Sequence, residues 1–216
     1  MATATFNPSA GDGWCQNSGA DWDIMHDSSA AGFTTNYTND YFSVGSAHSS
    51  GYYLSRASIP FDTSSIPAGS KITAATLRLR ATQIRDEDND GNDWINVVST
   101  TVASIDTLSS SDYSKIGDAT NSPTELSTRK DNGTMSANNY YTWTLNAAGR
   151  SEINVGVGAV TKLGLRDGFD CLDHPISSSG DVSNQCKFAS KENSTSAYRP
   201  LLTVTYQPPN TALYLM

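Results

Sequence analysis

The chain has 216 residues, of which 14 are basic and 22 acidic, for a formal charge of −8. That acidity, without a Lys/Arg cluster to interrupt it, excludes a nucleic-acid backbone as partner, and no apolar run nears the ~20 residues that would span a bilayer. Helix formers are sparse and Ser, Thr, Asn and Gly abundant, which suits many short strands joined by polar turns in a single domain with one core.

In chain order, residues 1–8 read as a first strand that stops at Asn7-Pro8. The opening MATATFNPSAGDGW has neither the basic nor the apolar region of a secretory signal. Three origins are then expected: a module cut from a larger secreted protein, a mature chain with an added Met, or a protein released by lysis, as a virus particle is. The following SAGDGWCQNSGADWD reads as a turn-rich loop. It sets Trp14 and Trp22 among Asp12, Asp21 and Asp23, the residue types of a sugar-contact platform, with aromatic faces for pyranose C–H groups and carboxylates for hydroxyls. The alternative is that both rings pack over an open end of the fold.

Strand signals return at residues 40–46 and in YYLSRASIPFD. The turn SIPAG follows, where Pro67 presets φ and Gly69 tolerates φ > 0. In the next run, AATLRLRAT, Ala75, Leu77, Leu79 and Ala81 alternate with Thr76, Arg78, Arg80 and Thr82, the pattern of a half-buried strand. The runs on either side of SIPAG are expected to be neighbours in one antiparallel sheet. A hairpin is expected next, from AATLRLRAT to WINVVSTTVA, with DEDNDGND at its tip.

That octet carries the sharpest chemical signal. Asp86, Asp88 and Asp90 followed by Gly91 match the D-x-D-x-D-G opening of calcium loops, in which alternate oxygen ligands converge and the Gly permits the sharp turn. Val97 stands where the helix-loop-helix version needs its bidentate Glu, so that version is excluded. Two readings stay open, a Ca²⁺ loop and a solvated acidic tip that keeps a sheet edge from pairing.

Residues 104–139 read as a long polar connection carrying short elements. YYTWTLN reads as a strand with Trp143 in the core, and Asn146 as the cap of one short helix, AAGRSEI. AVTKLGLRD, QCKFASK and RPLLTVTY supply the last strands. Cys171 and Cys186 flank a loop that a disulfide would close with about 3 kcal/mol of stabilisation; the alternative is three reduced thiols, Cys15 included. His26, His48 and His174 lack zinc-ligand spacing with the cysteines. Asp167, Asp170 and Asp173 read as solvated loop carboxylates. With no G-x-S-x-G, H-E-x-x-H or phosphate loop, the chain is expected not to be an enzyme.

Together the elements predict an all-β fold, a single two-sheet antiparallel sandwich, jelly-roll-like, with long loops and one short helix. The domain is expected to cover residues 1–207. Pro208 and Pro209 then set off a tail, 208–216, whose Leu213, Tyr214 and Leu215 are expected to engage protein neighbours in an assembly.

FDTSSIPAGSKITAATLRLR, YTWTLNAAGRSEI and FASKENSTSAYRPLLTVTY resemble, in order and spacing, the DNRLRE-type β-sandwich domains over most of the chain, roughly residues 42–206. The resemblance implies a non-catalytic, jelly-roll-like module of secreted and cell-surface proteins, with related chains among bacteriophage structural proteins and some carbohydrate-binding members. The expected function is that of a virion-surface protein of a bacteriophage, a capsid decoration or a fibre, with glycan adhesion as an added role. The alternative is a carbohydrate-binding module of a secreted polysaccharide-acting enzyme.

Overall fold

The computed structural model describes residues 1–32, 34–88 and 90–210. Leu213, Tyr214 and Leu215 of the expected partner-binding tail lie outside the described residues. The strands in order are β1 (Ala2–Phe6), β2 (Gly13–Gly19), β3 (Thr34–Asn36), β4 (Tyr41–His48), β5 (Tyr52–Asp62), β6 (Lys71–Ile84), β7 (Trp94–Val98), β8 (Lys130–Asp131), β9 (Tyr140–Thr144), β10 (Val160–Asp167), β11 (Val182–Ala189) and β12 (Leu201–Gln207). Three short helices join them, α1 (Trp22–His26), α2 (Ala147–Ser151) and α3 (Gly168–Leu172).

The expected all-β antiparallel fold is present, and β6 gives it its shape. Its first part pairs with β12 on one side and β9 on the other, and its last residues, Ala81–Ile84, pair with β11. One strand thereby belongs to two stretches of sheet, and the path β1-β12-β6-β11-β4-β5-β10-β7-β8 is continuous and curled. The alternation read in the sequence holds. Ala75, Leu77, Leu79 and Ala81 are buried while Thr76, Arg78, Arg80 and Thr82 are half-exposed. The outer arginines lie over rings, Arg78 4.8 Å from Tyr140 and Arg80 3.7 Å from Tyr198.

Both expected strand pairings fail. β5 pairs with β2, β4 and β10 and not with β6, although the SIPAG turn forms as read, with Gly69 at φ +76° and the Ser70 N–H donating to the Pro67 carbonyl at 3.1 Å. β6 and β7 are not a hairpin either, because β7 pairs with β10 and β8. The acidic octet therefore crosses from one part of the sheet to another. Sequence neighbours pair often but not always.

The main core lies inside the curl. It contains Phe42, Val44, Ile59, Phe61, Leu77, Leu79, Leu163, Phe188 and Leu202, with Trp143 fully buried as expected and its indole N–H donating to the Ile95 carbonyl at 3.3 Å. A second cluster, with Cys15, Trp22, Met25, Leu54, Tyr113 and Phe169, is closed over by residues of the 104–139 connection. Asn146 caps α2 by accepting from the Gly149 N–H, as read, but α2 ends at Ser151. The loop expected at residues 9–23 instead holds β2 and the start of α1.

Candidate metal centre

Between Ile84 and Trp94 the backbone crosses the end of β11 and is fastened there at two points. The Arg85 N–H donates to the Gln185 carbonyl at 3.0 Å, and the Glu87 N–H to Asn184 Oδ1 at 2.8 Å. With its oxygen so committed, the fully buried Asn184 turns its amide nitrogen to two carboxylates, those of Asp88 and Asp93. Asp86, Asp88 and Asp93 each bring a carboxylate oxygen within 4.8 Å of the others.

The carboxylates that come together are thus Asp86, Asp88 and Asp93, and Asp90 of the expected set is not among them. Asp90 is exposed and its Oδ1 accepts the Asn92 N–H at 2.9 Å, a local Asx turn that commits the carboxylate to its own backbone. Gly91 takes φ +92°, as the motif requires, and the turn it permits brings in Asp93 as the third carboxylate. Nearby, the Asn132 N–H donates to the Asp93 carbonyl at 2.6 Å, and a side chain at Gly133 would place its Cβ 2.7 Å from Asp86 Oδ2. Glycine is the residue that fits against this carboxylate.

Burial, the hydrogen bond to Asp88 and repulsion from Asp86 and Asp88 together push Asp93 up to about 7. Like charges this close do not all ionise unaided. Among the described residues, Asp88 Oδ2 is buried with no hydrogen-bond partner, and so are both polar side-chain atoms of Asn132, a residue 1% exposed. Buried polar atoms without partners are rare in native proteins and point to something that satisfies them. Hard carboxylate and amide oxygens suit Ca²⁺ at 2.3–2.6 Å, and Zn²⁺ poorly.

The other expected sites are corrected. Trp14 is 6% and Trp22 4% exposed, so neither offers a face to a sugar. Trp14, in β2, stacks on Tyr41 at 5.3 Å. Trp22 stacks on His26 at 5.6 Å, meets Tyr52 edge-on, and donates its indole N–H to Asp173 at 3.0 Å. The two rings belong to different apolar clusters. Cys171 and Cys186 are free thiols. Cys171 packs with Trp94 and Val98 while Cys186 lies in the main core, so no bridge forms between them. Burial pushes Cys15 up to about 12 and raises the other two thiols as well.

Asp167, Asp170 and Asp173, expected in solvent, tie down α3. Asp167 caps the helix, and Asp170 is fully buried between the equally buried Arg56 and Arg166, at 2.7 and 2.5 Å. Burial alone would raise Asp170, but the two guanidinia hold it well below the usual carboxylate range. His26 Nε2 stands 2.9 Å from the Asp170 carbonyl, and Arg56 also lies 4.1 Å over the Tyr113 ring. No local pattern marks this network, since its members are spread from residue 26 to residue 170. Comparison with known proteins finds no family model that matches the chain and no curated protein that matches it.

Proposed function

We propose that the chain is a non-catalytic surface module, a jelly-roll-like sandwich of the DNRLRE type, whose acidic crossover takes Ca²⁺ and which works by binding. The observation that carries the reading is the convergence of Asp86, Asp88 and Asp93 under one buried amide, Asn184. A divalent ion there offsets the burial and the mutual repulsion that together raise Asp93 to about 7. Binding rather than chemistry is supported by where the reactive groups lie, with the three thiols buried and raised and His26 enclosed in the Asp170 network.

An exterior setting suits such a site, because Ca²⁺ sites of extracellular modules work at ~10⁻⁴–10⁻³ M. A bacteriophage particle is the setting favoured by the sequence. Thermal melting in Ca²⁺ and in chelator tests the reading. At about ten times Kd, Ca²⁺ should add roughly 1.4 kcal/mol and raise Tm by about 3–6 °C. Identical melting curves in the two buffers would refute it.

A further inference from the structure

The chain passes twice between the part of the sheet that holds β6 and the part that holds β7. β6 leads through the acidic crossover to β7, and β8, paired with β7, leads through residues 132–139 to β9, paired with β6. The two connections touch at both ends. Near β6, the Asn138 N–H donates to the Ala81 carbonyl at 2.8 Å and the Ala81 N–H to the Asn139 carbonyl at 2.9 Å. Near β7 they meet at the carboxylate cluster, through the bond from the Asn132 N–H to the Asp93 carbonyl and the close approach of Gly133 to Asp86.

Residues 131–135 form a turn that serves its own backbone. Asp131 Oδ1 accepts the Gly133 N–H at 2.7 Å, the Asp131 carbonyl accepts the Thr134 hydroxyl at 2.8 Å, and the Asn132 carbonyl accepts the Met135 N–H at 2.9 Å. The Asn132 side chain is the group left over. It is enclosed to 1% exposure, and among the described residues neither its oxygen nor its nitrogen has a hydrogen-bond partner. Packing alone would favour an apolar side chain of similar size, because an enclosed amide is costly unless something binds it.

Its neighbours say what that ligand is. Ca²⁺ takes six to eight oxygens, Asn carbonyls and waters among them, and a neutral amide oxygen adds a donor without adding to the repulsion among three acids. We propose that Asn132 Oδ1 is a fourth ligand of the metal centre, and that Ca²⁺, held from both connections at once, closes residues 130–139 onto the acidic crossover. The inference rests on the reading of the carboxylate cluster as a Ca²⁺ site. It adds a donor from the second connection, and with it a calcium-controlled opening of this corner. The corner is suited to open, because β8 pairs with β7 over two residues and, of residues 131–139, only Asn132 and Met135 are buried.

Hydrogen exchange of the parent in Ca²⁺ and in chelator reads the closure, and calorimetry of Ca²⁺ binding to the parent, Asn132→Ala and Asn132→Asp reads the ligand. At about ten times Kd, the backbone amides of residues 130–139 should exchange about ten-fold more slowly than in chelator. Asn132→Ala should bind Ca²⁺ about ten-fold or more weakly, while Asn132→Asp, which keeps an oxygen at the same place, should bind at least as tightly as the parent. An affinity unchanged in Asn132→Ala, or lowered alike in both variants, overturns the ligand and leaves the three-carboxylate centre standing. Equal exchange in Ca²⁺ and chelator, while calorimetry shows the ion bound to the parent, overturns the closure. No ion bound to the parent overturns the metal centre itself, and this inference with it.

Discussion

Asn184 in β11 holds Asp93, 91 positions earlier in the chain, by a hydrogen bond from its amide nitrogen to the carboxylate. The same nitrogen reaches Asp88, and the same amide's oxygen receives the Glu87 N–H. One buried side chain therefore ties Glu87, Asp88 and Asp93 of the acidic crossover together.

The protonation of Asp93 makes this loop pH-sensitive. Its folded value of about 7 lies above the ordinary 3.8, so without metal the folded state holds the proton more tightly than the unfolded chain does. That contribution to stability is fully present below about 4 and is lost as pH rises to about 7. Asp93→Asn should flatten this part of the metal-free stability profile, and saturating Ca²⁺ should oppose the loss in the parent. Denaturant melts between pH 4 and 8 check it. A parent and variant with parallel profiles would show that Asp93 does not titrate there.

Asp170 should behave in the opposite sense. Arg166 and Arg56 hold it well below 3.8 against the burial that would raise it, so its stabilisation is present above about 4 and is lost as pH falls toward its depressed folded value. Asp170→Ala leaves two buried guanidinia without their shared anion and should cost about 3–5 kcal/mol. Urea melts at neutral pH measure it, and a loss below 1 kcal/mol would show that Arg56 and Arg166 are satisfied by carbonyls alone.

Leu77 and its neighbour Arg78 test the register of the core. Leu77 is fully enclosed and pairs across the sheet with Leu202 and Trp143, so Leu77→Ala should cost about 2–5 kcal/mol. Arg78 lies outside over Tyr140, and Arg78→Ala should cost no more than about 1 kcal/mol. Comparable losses in Tm from the two substitutions would contradict the alternation.

The parts of this molecule that local pattern governs were legible in the sequence. Leu77 and Leu79 follow a period of two that any half-buried strand imposes, Asn146 caps a helix through contacts three residues away, and Gly69 and Gly91 sit where positive φ is needed. What long-range pairing governs was not. Trp14 lies in a polar, glycine-bounded run that becomes β2 because β5 and β3 pair with it on either side. The octet supplied the carboxylates of the cluster, but Asp93 stands where the motif put Asp90. The choice of Asp93 over Asp90 depends on Asn184, and nothing near residue 184 marks it as a partner of the loop.

That arrangement is also where the proposed metal centre is most directly exposed to measurement. Calorimetric titration of Ca²⁺ into the parent, Asp90→Asn, Asp93→Asn and Asn184→Ala compares the motif with the folded site. One ion per chain should bind the parent and Asp90→Asn with similar affinity, while Asp93→Asn and Asn184→Ala should each lose about ten-fold or more, as loss of a ligand or of the group that orients it does. Binding that is abolished by Asp90→Asn and untouched by Asp93→Asn, or no binding to the parent at all, would contradict the site described here.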